Sequence, residues 1–591
     1  MIAPASTGPA PGLLPSVRRL AARHPWLLLA GLLFAGLLAF LPAARAELTL
    51  DDYLHASMID GTYPARRGPL DLYDFVGDAE RAAMMERGML PWWSHPRLRL
   101  RFLRPLPSAL RWGEQRLFGR SPALPHLHSL LWWAAAVLAA RRLFRRVLAP
   151  RPALFATAMF ALSPAHALPI AWLANREALI SLTLGTLGLT EYLRWQERGA
   201  ARHALAAAAL FALSMTGGEY ALCLGGYVLA LELLGAGRPL ARRALGAALY
   251  GVPLALYLGV RAALGFGTRG SGFYLDPLQE PLAFLHVVPG RLAALIVQQW
   301  LTLDGDTIHD TSSPWLLVGL LGAGVALLAV PVRRTLGALP AAQRPRIVAL
   351  FAGAQLALLP VLAVDPSPRV LGASLLGLAP TLALLLERAW FPAVLPERRG
   401  VAELSGLAAL AVGFAQLVHG PVTAWLIGEH TRQTSVDFAR HVAELRERMP
   451  DPDHTDLLVV RGFNSAFFMP FALAADGRPP RRWRVLATTG HVLSLRRGPR
   501  TLELVAPRDQ SMFSWDLFRD MNATVREGEV FDTPGLRATI LEVSPAGPRR
   551  VRFDFDRDLD APGNLWVVEN GKGEYPLAVL PQLGFGQPFE P

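Results

Sequence analysis

Leu48-Thr49-Leu50-Asp51-Asp52-Tyr53 comes directly after the first membrane-length apolar run and puts two adjacent carboxylates at its end. Adjacent acids beside a bilayer are costly unless they hold a cation, a phosphate-linked substrate or a proton. This pair opens a long polar loop, and many further apolar segments follow it. An acidic pair at the mouth of a polytopic bundle points to an enzyme acting on a lipid-linked substrate.

Composition agrees with a bundle. Of 591 residues, 52% are hydrophobic and 18% charged, which describes a mostly membrane-embedded chain rather than several soluble domains. The net charge of +12 does not read as a nucleic-acid footprint, because the arginines fall in short clusters between apolar runs. Those clusters are Arg18-Arg19, Arg141-Arg142 with Arg145-Arg146, Arg242-Arg243, Arg333-Arg334 and Arg398-Arg399, the positive-inside pattern. The single cysteine, Cys223, rules out an internal disulfide and any cysteine-based metal site. Arg18-Arg19, Arg23, the run 26–41 and Ala44-Arg45-Ala46 resemble a cleavable signal peptide. An uncleaved first helix fits better, since the acidic pair needs a fixed place at the membrane face. Either way Asp51 lies on the outer side.

At roughly 20 apolar residues per crossing, the sequence predicts about eleven spans. They fall at 25–42, 124–140, 152–169, 176–195, 203–217, 219–235, 244–264, 314–332, 347–364, 370–387 and 402–427. The segment 281–303 carries His286, Pro289, Arg291, Gln298 and Gln299, and reads as an interfacial or re-entrant helix. The outer loop, 43–122, is too polar to span; its Trp92-Trp93 and Phe102 suit helices lying in the interface. The expected fold is therefore a polytopic α-helical membrane domain over 1–427, a polar connecting helix and linker over 428–454, and a small β-rich soluble domain over 455–591. Short alternating runs at 456–460, 483–488, 501–505, 538–543 and 551–555, separated by Gly, Pro and Asp, suggest that this last domain is antiparallel. The chain is expected in the cell inner membrane, or an equivalent one, with the C-terminal domain extracytoplasmic.

Several residues have the chemistry a site needs. One carboxylate of Asp51 and Asp52 can deprotonate an acceptor hydroxyl while the other orients a cation or sets its partner's pKa; an aspartate also caps helices well. Asp60 and Asp71 read as solvated acids. Arg104, in Arg104-Pro105-Leu106, places a planar guanidinium near the outer interface, matched to phosphate oxygens, whereas Arg97, Arg99 and Arg101 beside it read as snorkelling anchors. Arg176 begins a span on the outer side, where topogenesis does not explain an arginine, with Glu177 beside it as a structural partner. His126, His128 and His166 fall near the outer surface without tight metal-ligand spacing. Glu219, at a helix mouth, is an acid that is normally paired or functional.

The order of these elements says more than any one of them. Asp51-Asp52, Arg104-Pro105-Leu106, Pro125-His126-Leu127, Ser163-Pro164-Ala165-His166, Arg176-Glu177-Ala178-Leu179 and Gly218-Glu219 resemble the GT-C membrane glycosyltransferases. The likeness is to the transmembrane O-mannosyltransferases with tetratricopeptide repeats and, more distantly, to dolichyl-phosphate-mannose protein mannosyltransferases. It covers about residues 25–240. Ser129 stands where that family has Asn, Ser163 where it has the first His of His-Pro-x-His, and Gly218 where a Lys precedes the Glu; no repeat domain follows. The resemblance implies an inverting transferase moving a sugar from a polyprenyl-phosphate carrier to an acceptor protein or glycan on the outer side. In that reading Asp51 and Asp52 are catalytic, Arg104 and Arg176 lie near the donor phosphate, and His126, His166 and Glu219 contact substrate. A divalent cation on Asp51 and Asp52 is the one cofactor left open. The alternative is a non-catalytic transporter or assembly scaffold on the same bundle; its charges would sit at mid-membrane, whereas these sit at helix mouths.

Overall fold

The computed structural model describes residues 25–591 except 235–237, 304–313, 392–398, 476, 514–516, 521–523, 571 and 590–591. Arg18, Arg19, Arg23 and Arg398, part of the topogenic pattern, lie outside the described residues.

The membrane part is built from helices α1 Pro25–Ala39, α5 Ala123–Val147, α6 Pro150–Ala161, α7 Ala167–Ala171, α8 Glu177–Arg198, α9 Ala201–Gly217, α10 Cys223–Leu234, α11 Leu240–Ala263, α12 Pro281–Leu301, α13 Pro314–Gly337, α14 Arg344–Leu356, α15 Leu375–Trp390, α16 Arg399–Phe414 and α17 Gly420–Glu447. Between α1 and α5 lie three extramembrane helices: α2 Asp51–Asp60, α3 Arg81–Arg87 and α4 Pro105–Phe118. Among the described residues, six helical stretches are long and apolar enough to cross a membrane, and the pair α6–α7, bent by 46°, makes up to seven. The expected eleven is not reached on that measure, because α1, α9, α10 and α15 are short and α8 carries Glu191, Arg194 and Glu197. Pro281–Leu301 is one continuous helix that meets the spanning criterion, where the sequence suggested an interfacial segment. Gln298 and Gln299 are buried against protein, which removes the polar load from the lipid face.

Small residues let the helices approach. A Cβ on Gly188 of α8 would lie 2.9 Å from the Phe211 ring of α9. Ser214 Oγ donates to Ser181 O at 2.7 Å, and Ser181 Oγ returns a bond to Ser214 O at 3.3 Å. Close backbone contact plus interhelical hydrogen bonds is how helices associate without a hydrophobic driving force. At the far end of α5, arginines pair with glutamates of α8: Arg142 with Glu191 at 2.9 Å, and Arg346 with Glu197 at 2.8 Å.

Helix α16 runs through a π turn at Ala415–His419 into α17. The apolar rod from Glu403 to Glu447 is 45 residues long, about 68 Å at 1.5 Å per residue, so it crosses the bilayer and continues beyond it. The boundary expected at 427/428 thus falls inside one helix.

Outside the membrane, β1 Asp74–Val76, β2 Arg99–Arg101 and β3 Gly267–Arg269 form a three-stranded antiparallel sheet. The C-terminal region is mixed rather than antiparallel throughout. Strands β4 Asp456–Val459, β5 Arg482–Val485 and β11 Asn564–Val567 form a parallel sheet in the order β11-β4-β5, with helix α18 Met469–Ala475 crossing over between β4 and β5. A parallel pair requires such a crossover. The other six strands, β6 Val492–Arg496, β7 Thr501–Val505, β8 Val530–Thr533, β9 Leu536–Ser544, β10 Gly547–Phe555 and β12 Gly586–Phe589, make an antiparallel sheet ordered β12-β6-β7-β10-β9-β8.

Trp92 and Trp93 do not lie in the membrane interface. Trp93 is fully buried and stacks on Phe513 with ring centroids 5.3 Å apart. Trp92 packs edge-on against Phe513, Phe531 and Phe553, and its Nε1 donates to Leu486 O at 3.0 Å. The outer loop and the C-terminal region therefore share one hydrophobic core, separate from that of the bundle. Two of the supposed anchors and one of the supposed solvated acids are also paired: Arg99 with Asp78, Arg101 with Asp74 at 2.7 Å, and Asp60 with Arg120 at 2.8 Å. Removing a buried Trp ring typically costs about 3–5 kcal/mol. Trp93→Ala should lower the thermal midpoint in detergent and expose both the loop and the C-terminal region to protease together. An unchanged midpoint would return Trp93 to an interfacial role.

Candidate active site

The acidic pair opens α2, and its two members face different ways. Asp52 is fully buried and accepts three backbone N–H groups: Thr49 at 3.2 Å, Leu173 at 3.3 Å and Ala174 at 2.8 Å. It holds the residue ahead of its own helix and pins the turn ahead of α8 to that helix. Asp51 lines a cavity of about 750 Å³ and accepts no hydrogen bond among the described residues. The residue before it, Leu50, has φ 47° and ψ −119°, a strained conformation for a residue with a Cβ, of the sort found where surrounding structure over-determines a site.

Burial, and then the charge of Asp52, push Asp51 from the usual 3.8 to about 7, against the pull of Arg104 and Arg369. Burial raises Asp52 to about 6, opposed by Arg111 and by its three backbone N–H groups. Burial first, and the charge of Asp52 second, hold the Asp51 proton to near neutrality. A carboxylate so poised suits general base work at pH 7.

A second cavity, of about 220 Å³, lies behind a wall of Phe102, Tyr274 and Arg369 that both cavities share. Arg104, Glu177, Glu219 and Arg261 line it. Arg104 bonds Glu219 through Nε at 3.1 Å and Glu177 through Nη1 at 3.3 Å, with its guanidinium over the rings of Phe102 and Tyr73. Arg261 pairs with Asp276 at 2.8 Å. Gly218 explains a departure from the family pattern: it sits at φ 130°, and a Cβ there would meet Arg104 Cγ at 2.8 Å. The space a lysine would need is filled by Arg104, which supplies the cation on Glu219.

Arg176 is placed elsewhere. It is 2% exposed, lines neither cavity, and is saturated by protein groups. Its partners are the Glu114 carboxylate, Ser129 Oγ at 2.8 Å and Pro125 O at 2.8 Å. In this structure the arginine is a buried brace outside the linings of both cavities, and its carboxylate partner is Glu114 where the sequence suggested Glu177. Ser129, in place of the family's Asn, is one of its acceptors. His126 and His166 are also buried, bonded to Ile170 O at 2.9 Å and Phe160 O at 2.8 Å, and neither lines a cavity. Of the expected site residues, the structure brings together Asp51, Asp52, Arg104 and Glu219.

Arg369 is the residue that sequence reasoning passed over. It sits in the turn Asp365-Pro366-Ser367-Pro368-Arg369 between two apolar helices, stacks on Trp172 at 5.5 Å, and has no carboxylate within 4 Å among the described residues. Its charge acts on both Asp51 and Glu177. The signal was available, since 365–369 falls on the outer side of the predicted spans, where the argument applied to Arg176 holds equally. A divalent cation does not fit the acidic pair. Both oxygens of Asp52 are taken by N–H donors, which leaves Asp51 alone and facing two guanidinium groups; among the described residues no three His, Cys, Asp or Glu side chains gather as a ligand set.

No protein-family model matches this chain, and no characterised protein matches its sequence. Among solved structures it is similar to the oligosaccharyltransferase AglB of Archaeoglobus fulgidus in complex with an inhibitory peptide and a dolichol-phosphate. That match has 14% identity and a TM-score of 0.41, over 78% of this chain and 64% of that one. The same archaeal enzyme tethered to an acceptor peptide matches with 14% identity and a TM-score of 0.41, over 76% and 64%. The chain thus spans under two thirds of the archaeal protein's length. It is also similar to ArnT of Cupriavidus metallidurans bound to undecaprenyl phosphate, at 15% identity and a TM-score of 0.41, over 91% and 99%. Both are membrane glycosyltransferases of the GT-C type.

The two acids should respond oppositely to substitution. The folded state favours protonated Asp51, so the cost of its charge is absent below about pH 4 and grows as pH rises through about 7. Asp51→Asn should raise the thermal midpoint at pH 8 and leave it unchanged at pH 4. Asp52→Asn sets an NH₂ against backbone donors and should destabilise by about 1–3 kcal/mol. The exchanged pattern, with Asp51→Asn destabilising and Asp52→Asn stabilising at pH 8, would reverse the two assignments.

Arg176→Ala strands the Glu114 carboxylate and should destabilise by about 3–5 kcal/mol. Chemical denaturation in detergent reads this directly. A variant as stable as the parent would restore Arg176 to substrate contact.

Proposed function

We propose that this protein is an inverting glycosyltransferase of the cell inner membrane, using a polyprenyl-phosphate-linked sugar and acting on the extracytoplasmic side, where its C-terminal region lies. One observation carries the reading: a half-buried carboxylate poised near neutrality, Asp51, lines the same cavity as Arg369, a cation with no carboxylate partner among the described residues, where a large apolar cavity meets an arginine-rich one. Asp51 takes the proton of an acceptor hydroxyl. The hydroxyl oxygen forms its bond to the anomeric carbon as the bond from that carbon to the phosphate oxygen breaks, and the phosphate leaves with the electron pair. Attack from the side opposite the leaving group inverts the anomeric centre.

Arg369 neutralises the phosphate as charge develops on it, an electrostatic contribution that is large in a water-poor site. Arg104 and Arg261 are already committed to carboxylates, so they set the field and hold Glu219 and Glu177 in place. Positioning supplies much of the remaining acceleration.

Transfer of a radiolabelled sugar from polyprenyl phosphate to envelope acceptors, in nanodiscs, tests the proposal. Asp51→Asn should lower turnover by ~10²–10⁴ and Arg369→Ala by ~10²–10³, with both proteins folded. Because the base must be ionised, turnover should rise with pH and level off above about 7. Full transfer by Asp51→Asn would refute the assignment of the base.

A further inference from the structure

We infer that the acceptor is itself a lipid: a molecule whose hydrocarbon chain fills the larger cavity while its hydroxyl-bearing head reaches Asp51. The inference rests on the transferase reading above and names the substrate class of that same site.

The walls of the larger cavity are the first ground. Apart from the end at Asp51 and Arg369, it is bounded chiefly by aromatic and aliphatic side chains. Polar groups enter this wall from one side, as Thr423, His430 and Thr431 of α17 and as His419 just ahead of it, which bonds Thr302 Oγ1 at 3.0 Å; Thr431 Oγ1 donates to Ile427 O at 2.8 Å. An extended polypeptide would bury unpaired N–H and C=O groups against such walls, at a cost of several kcal/mol each. A hydrocarbon chain carries no such groups.

The second ground is where the cavity ends. Leu407, Leu410, Phe414, Val418, Val422 and Leu426 form an exposed apolar stripe along α16 and α17. Leu426 is 60% exposed and also lines the cavity, and the next turn brings Glu429 and His430. The rim thus stands where the lipid-facing stripe gives way to polar residues, at the bilayer surface. A chain already in the outer leaflet enters there without crossing water.

The third ground separates acceptor from donor. Arg369, the cation left for the phosphate, stands in the wall that the two cavities share, and the smaller cavity has its own apolar residues Leu258, Leu278, Phe284 and Leu359; Leu278 and Leu359 are exposed. The donor's chain therefore has a separate path, and Asp51, the base, faces only the larger cavity. Phe467, Phe468 and Phe471 close that cavity from the C-terminal region, so the extramembrane part helps choose the acceptor.

A dodecyl maltoside carrying a diazirine at the end of its alkyl chain probes this in nanodiscs of the full chain. Light should attach it to the peptides carrying Phe468–Phe471 and Leu426–Ile427, and saturating undecaprenyl phosphate should leave that labelling unchanged. Ile427→Trp should reduce it at least tenfold while retaining binding of undecaprenyl phosphate, which shows that the variant is folded. Displacement by undecaprenyl phosphate would make the larger cavity the donor's channel and overturn the proposal. So would labelling of those peptides by a hydrophilic diazirine peptide but not by the alkyl probe, or labelling confined to the lipid-facing stripe. The readout needs no turnover, so an inactive protein that labels as expected would sink the catalytic assignment alone.

Discussion

Three backbone N–H groups converge on the Asp52 carboxylate, and the geometry of the outer face follows from them. Thr49 lies just ahead of α2, while Leu173 and Ala174 lie more than a hundred residues later. A buried carboxylate is expensive unless donors surround it. This one is satisfied only if α2 and the turn before α8 meet in one register. That register fixes the direction of Asp51, one residue earlier, and forces Leu50 into a conformation its side chain would not otherwise adopt. The neighbouring acids are thus a support and a reacting group, made different by the side of the helix each occupies.

A second network holds the arginines. Buried guanidinium groups persist only when paired, and Arg104, Arg176 and Arg261 each find a carboxylate. Arg369 has aromatic contact instead, over Trp172. The contrast identifies which cation is left to meet an incoming anion. Gly218 contributes by what it lacks, since its bare Cα admits Arg104 to Glu219 where a larger residue would exclude it.

The site also depends on parts of the chain that are remote in sequence. The outer loop, the top of α17 and the C-terminal strands share one core centred on Trp92, Trp93 and Phe513. The rod of α16 and α17 carries that core and one cavity wall on a single helix. One continuous helix therefore joins the bundle to the extramembrane region. The aromatic residues that close the larger cavity are held in place by packing far from the membrane.

Much of this was legible in the chain alone. Apolar runs fix helices because a bilayer leaves the backbone no other way to satisfy itself. The arginine clusters, the acidic pair, Arg104 and Glu219 stood out because charge at a helix mouth needs a reason. Sequence did not separate Asp51 from Asp52, since spacing does not say which carboxylate meets distant N–H groups. Nor did it distinguish Arg176 from Arg369. The sequence places both on the expected outer side, and only the fold places Glu114 against one and a cavity against the other. Trp92-Trp93 misled for the same reason, because an aromatic pair suits a membrane interface and a protein core equally well. Local chemistry determines which groups demand a partner; tertiary structure decides which of them the protein satisfies itself and which it leaves open.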